Sequence, residues 1–157
     1  MVDGRGARSV RAVTLGVIRT PPSDPLPDRL ALLRTEFTDL IAEFEPHVVA
    51  VEQVFFQVNV RTAMSVGQAS GLALAEAALA GCEVVQYTPN QVKDAVAGWG
   101  GAAKEQVQKM VQARLQLSAL PRPADAADAA ALALCHLAMA PLGHRLSAVS
   151  AAGGGAR

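Results

Sequence analysis

The spacing of apolar residues changes several times along the chain, and each change marks an element. Val10 to Ile18 sets Val10, Ala12, Leu15 and Val17 against polar or small neighbours, which predicts a strand ended by Thr20-Pro21-Pro22. Four prolines between residues 21 and 28 stiffen the connection that follows. From Arg29 to Glu45 the residues Leu30, Leu33, Phe37, Leu40, Ile41 and Phe44 recur mostly three and four apart, the stripe of an amphipathic helix. Val48-Val49-Ala50-Val51 is an unbroken apolar run, as expected of a strand buried on both faces of a parallel sheet, and it stops on Glu52. Residues 61 to 80 predict a second helix, whose small residues, among them Ala63, Gly67 and Gly71, would let another backbone come close. Gly81 suits the left-handed position after its end.

Glu83 to Tyr87 predicts a short second buried strand, and Thr88-Pro89 reads as N-cap and first residue of a helix holding Val92 and Val96. Gly98-Trp99-Gly100-Gly101 breaks that helix, and Lys104 to Leu117 resumes it with Val107, Met110, Val111 and Leu115 on or beside one face. After Pro121-Arg122-Pro123 a final helix is expected from about Ala124 to Met139, apolar nearly all round and therefore buried. Met1 to Ser9, with two glycines and two arginines, reads as a turn or frayed end. The glycine-rich segment at 141–157 reads as a disordered tail.

Strands alternating with helices predict an α/β architecture in which the strands at 48–51 and 83–87 pair in parallel. A length of 157 residues predicts one domain, here placed at residues 1–140. Composition narrows the classes further. A hydrophobic content of 51% with 18% charged residues predicts a folded chain, and a formal net charge of zero means that any nucleic-acid contact must come from local placement of Lys and Arg. Cys82 and Cys135 lie far apart in apolar surroundings, which fits small core residues in a reducing compartment. With no long apolar run and no signal-peptide core, the expected location is cytoplasmic, away from membranes.

The candidate chemistry begins at Glu52. In open α/β sheets ligands bind beyond the carboxyl ends of strands, so a strand-end carboxylate is well placed, and Phe55 and Phe56 follow it in a chain with only 4% aromatics. Both phenylalanines could equally cap the core. Asp125 and Asp128 lie three apart at the start of the last helix, on one face. An acidic first turn is also what the helix dipole favours, and one of the two could be the N-cap. Clustered carboxylates repel one another unless a cation is present, and oxygen donors are what hard divalent cations take. His47, His136 and His144 show no ligand spacing.

Glu52-Gln53-Val54-Phe55, Gly67-Gln68-Ala69, Gln91-Val92-Lys93, Lys104-Glu105-Gln106-Val107-Gln108 and Ala124-Asp125-Ala126-Ala127-Asp128-Ala129 together resemble the RuvC family of bacterial Holliday-junction resolvases, in order and over about residues 10 to 140. The resemblance implies a ribonuclease-H-like mixed sheet flanked by helices. It also implies a homodimer that nicks four-way DNA junctions symmetrically in recombination and repair, using two Mg²⁺ or Mn²⁺ ions per active site and working with RuvA and RuvB. By the same resemblance Glu52, Asp125 and Asp128 are metal ligands. Phe55 stacks at the opened junction centre, and Lys93 and Lys104 meet the scissile backbone.

One family feature has no counterpart. The family opens on a strand bearing an Asp in a Gly-hydrophobic-Asp-Pro-Gly context, and Asp3, in Val2-Asp3-Gly4, has no Pro-Gly after it. The expectation is therefore a chain lacking the family's first two strands, through a misplaced start, a fragment or a true loss, with a non-catalytic junction-binding or dimerisation fragment as the alternative function. In a sheet of order 3-2-1-4-5 the Val10 to Ile18 strand would then have no partner, and would detach or slide against Val48 to Val51.

Overall fold

In the computed structural model the backbone is described for residues 1–3, 10–53 and 60–153, and side chains for 1–3, 10–53 and 63–140. The elements run β1 (Val2–Asp3), β2 (Arg11–Ala12), α1 (Leu26–Phe44), β3 (Val48–Glu52), α2 (Val60–Leu79), β4 (Glu83–Tyr87), α3 (Pro89–Ala97), α4 (Lys104–Arg114) and α5 (Ala124–Gly153). Backbone contacts group them into two units, Gly16–Pro89 and Met1–Leu15 with Asn90–Arg157.

In the first unit β3 and β4 form a two-stranded parallel sheet with Val48 opposite Glu83 and Glu52 opposite Tyr87. The expected parallel pairing is present, and hydrogen bonds from Glu83 N to the His47 carbonyl (2.9 Å) and from Gln53 N to the Tyr87 carbonyl (2.8 Å) extend it at both ends. Val48 to Val51 are half-buried, however, rather than enclosed on both faces, because among the described residues only β4 pairs with β3. Helix α2 packs on both strands, and α1 packs on α2. The first turn of α1 begins three residues earlier than the apolar stripe predicts, since Pro27 presets a helical φ there. Its end is set by Glu45, left-handed at φ 43°, whose N–H reaches the Ile41 carbonyl at 2.9 Å. One polar cluster joins the two helices: Arg34 Nε donates to Glu76 Oε1 at 2.7 Å and the Thr38 hydroxyl donates to Glu76 Oε2 at 3.1 Å. Glu76 is buried beside Ala77, so these partners are what make its burial tolerable.

In the other unit β1 pairs antiparallel with β2, Val2 opposite Ala12 and Asp3 opposite Arg11. This corrects two expectations. Met1 to Asp3 is not a frayed end, and the strand expected over Val10 to Ile18 is a two-residue strand with its own partner, neither detached nor laid against β3. The Val13 N–H donates to the Met1 carbonyl at 2.9 Å and extends this pairing.

The core of this unit lies between helices. Val92 and Val96 of α3, Ala102 in the turn that follows, Val107 and Val111 of α4, and Leu115 are all buried. They meet a stripe of α5 made of Ala126, Ala127, Ala130, Ala131, Leu134 and Cys135. The alanines let α4 approach α5 closely. Cys135, fully buried, donates its thiol to the Gln91 carbonyl at 3.6 Å, and burial pushes that thiol's pKa up.

Helix α5 differs from expectation twice. It is buried along one stripe, not all round: Asp125, Asp128, Ala129 and Ala138 are exposed, and alanine tolerates exposure at little cost. Its backbone also stays helical to Gly153, beyond Met139 where the apolar pattern stops. Pro141 in a helix interior costs about 3 kcal/mol, while the alanines and leucines around it are strong helix formers that oppose the break. Among the described residues no helix is long and apolar enough to cross a membrane.

Candidate active site

Helix α4 begins on Lys104, with Ala103 as N-cap and the Gln106 side chain turned back to accept the Ala103 N–H at 3.0 Å. Ala103 has no side-chain oxygen, so only this half of a capping box forms. Lys104 thus stands at the positive end of a helix dipole, where a cation is disfavoured. Its compensation comes from α5. Lys104 Nζ donates to Asp128 Oδ2 at 2.7 Å, both side chains being about half exposed.

Asp125 and Asp128 reach this position through the geometry of α5. With its core stripe centred near Ala127, Ala130 and Leu134, the helix turns Asp125 and Asp128 to the opposite side, about 60° apart at 100° per residue. Asp125 also lies in the first turn, where its charge is favoured. The hydrogen bond to Asp128 raises the Lys104 pKa above the ordinary lysine range. Burial opposes the shift, and the charges of Asp128, Asp125 and Glu105 add to it. Three of the residues singled out from the sequence, Lys104, Asp125 and Asp128, are therefore neighbours.

Lys93 lies in the same unit, half-buried in the middle of α3. Glu52 belongs to the other unit, where it ends β3 as an exposed residue opposite Tyr87, at the strand terminus the sequence predicts. Phe55 and Phe56 lie outside the described residues. The spacing of the acids was visible in the sequence, but the Lys104–Asp128 pair was not, because it depends on how α4 packs on α5.

Among the described residues no three His, Cys, Asp or Glu side chains are gathered closely enough to hold a metal ion. Asp125 and Asp128 nonetheless fit part of a hard-cation site by donor chemistry: two carboxylates share an exposed face, and one already attracts an ammonium to 2.7 Å.

A family model described as "Crossover junction endodeoxyribonuclease RuvC" matches residues 1–136. A crossover junction endodeoxyribonuclease RuvC of Rubrobacter xylanophilus is 48% identical over 98% of this chain and 83% of its own length. One from Desulfitobacterium hafniense is 53% identical over 75% of this chain and 72% of its own length. Among solved structures, Thermus thermophilus RuvC superposes with a TM-score of 0.81 at 40% identity, covering 91% of this chain and 86% of that one. The same protein in complex with a Holliday junction substrate gives a TM-score of 0.84 at 40% identity over 90% of this chain and 86% of that one.

Proposed function

The chain belongs to the RuvC family of crossover junction endodeoxyribonucleases, with their ribonuclease-H-like fold, and from that premise we propose how it cuts four-way DNA (Holliday) junctions in recombination and repair. The observation that carries the proposal is the Lys104–Asp128 pair beside Asp125, built by two helices inside the matched span. Asp125, Asp128 and Glu52 are the carboxylates that would hold Mg²⁺ or Mn²⁺. Two such ions would supply an activated water and stabilise the leaving oxygen of an in-line phosphodiester hydrolysis.

The chain's own residues have separate tasks. Asp128 holds the Lys104 ammonium at the mouth of α4, where its charge can meet the negative charge growing on a scissile phosphate. Lys93 adds a second positive charge to the phosphate backbone and anchors its register. Phe55 offers a face on which an unpaired base can stack. Each nick is hydrolytic, so the protein must position one water and one phosphodiester; a homodimer provides two such sites for symmetric cuts. Small residues on α2, among them Gly67 and Gly71, would let the backbone of a second copy come close. RuvA and RuvB are the proposed branch-migration partners, and the cytoplasm the proposed location.

Asp128→Asn tests the assignment. It removes ligand charge and retains both lysines and their charge, so nicking of a synthetic four-way junction in Mg²⁺ should be abolished while gel-shift binding persists. Wild-type cleavage by this variant would overturn the metal role of Asp128. Binding without nicks by the wild-type chain would favour a junction-binding module without catalysis.

A further inference from the structure

The turn between α3 and α4 carries a side chain that the reading above leaves unused. Trp99 is the chain's one tryptophan, and its residue is 58% exposed. The other described aromatics, Phe37, Phe44 and Tyr87, are half-buried, so Trp99 alone among them faces solvent. An exposed indole is costly to keep in water. Here the surrounding turn holds it in place.

Gly98 ends α3 in a left-handed conformation, φ 88°, with its N–H on the Asp94 carbonyl at 2.8 Å. The Ala102 N–H reaches the Trp99 carbonyl at 3.2 Å, closing a second turn, and Ala102 is buried. Gly100 folds back on the start of α3, where a Cβ would stand 3.5 Å from the Asn90 carbonyl. Gly101 forms the seat of the indole: a Cβ there would collide with the six-membered ring, 2.8 Å from Cε3 and 2.9 Å from Cη2. The ring thus lies against the Gly101 backbone, where any side chain would displace it, while more than half of the residue stays open to solvent. Along the chain Trp99 falls between Lys93, four residues before the end of α3, and Lys104, the first residue of α4.

Resting on the nuclease reading above, we propose that Trp99 is a DNA-stacking residue, its indole receiving a base left unpaired in the junction, with Gly101 as the positioning residue that seats the ring. An exposed aromatic in the turn that joins two lysine-bearing helices supplies what unpaired nucleic acid takes: phosphates meet the charges and a base meets the ring, with little dependence on sequence. Paired bases are already stacked in a duplex and have no free face to offer. The residue would therefore favour junctions and single strands over duplex.

With one tryptophan in the chain, fluorescence excited at the red edge of the absorption band, where Tyr87 does not absorb, reports this position alone. The full chain is titrated, with Ca²⁺ in place of Mg²⁺, with a synthetic four-way junction, a single strand, and a linear duplex of the same length. Quenching by junction and single strand, well beyond that by duplex, is expected. Trp99→Leu keeps apolar bulk without an aromatic face and should weaken junction binding by about five- to hundred-fold. Trp99→Phe should stay within about threefold of wild type. Gly101 lies outside the left-handed region, so Gly101→Ala is opposed by the ring alone; it should weaken binding too, yet add nothing to Trp99→Leu.

Unchanged fluorescence on junction binding, equal quenching by duplex, or wild-type affinity of a folded Trp99→Leu would each overturn the inference. Should Trp99→Leu fail to fold by circular dichroism, the wild-type titration and Trp99→Phe decide on the same criteria. A wild-type chain that shifts no junction in a gel would overturn the nuclease reading, and this inference with it; a chain that binds with silent fluorescence overturns only the latter.

Discussion

Lys104 is the residue on which the site turns. A lysine at the first position of a helix works against the dipole and is held there by a carboxylate from another helix. Such a placement contributes little to helix stability, and an exposed ion pair adds little to the fold. Lys104→Ala is accordingly expected to leave thermal stability nearly unchanged while slowing single-turnover nicking about 100-fold, with junction affinity reduced only a few-fold. A loss of melting temperature that accounts for the lost activity would show a structural role instead. At this scale the sequence revealed which residue types mattered. It placed Glu52 at a strand end and Asp125 one turn from Asp128, and both placements appear in the structure. It did not reveal that Asp128 binds Lys104, 24 residues away, since that contact arises from helix packing.

Between elements, Glu76 on α2 is tied to Arg34 and Thr38 on α1. The Arg34 hydrogen bond, aided by Thr38 and by the Arg34 charge, holds the Glu76 carboxyl below its ordinary pKa despite the opposing effect of burial. A depressed pKa contributes stability that is fully present above the unfolded value, about 4.3 for Glu, and is lost as pH falls through the lower folded value. Wild-type melting temperature should therefore decline as pH drops below about 5, and the decline should be shallower in Glu76→Gln. Equal slopes in the two proteins would remove Glu76 from the acid response. Nothing in the stripe of α1 foretold this tie, because Arg34 lies outside the apolar positions and Glu76 reads as a solvated acid among alanines. Elements with a clear period were legible: β4 spans the expected Glu83–Tyr87, and α3 starts on Pro89. The misreadings fell where pattern carries little information. β1 is two residues long, and β2 is defined by pairing and not by its alternation.

Across the whole chain, α/β class and the parallel β3–β4 pair follow from alternating elements, but grouping into two units does not, because contact density is a property of the folded backbone. The units differ sharply in how they are filled. Among the described residues, every buried side chain except Glu76 and Ala77 belongs to Ala102, Leu115 or helices α3, α4 and α5, while α1 buries none. Backbone amides exchange with solvent deuterium through local openings whose free energy rises with buried packing around them. Deuterium should accordingly appear first along α1 and the β3–β4 ladder, within a time that leaves Val96, Val111 and Leu134 still protonated. Mass spectrometry of peptic fragments would record this as two clocks in one chain, with the slower one kept by the helices that hold Lys104 and Asp128. Uniform exchange across both units would mean that packing does not set the tempo of opening.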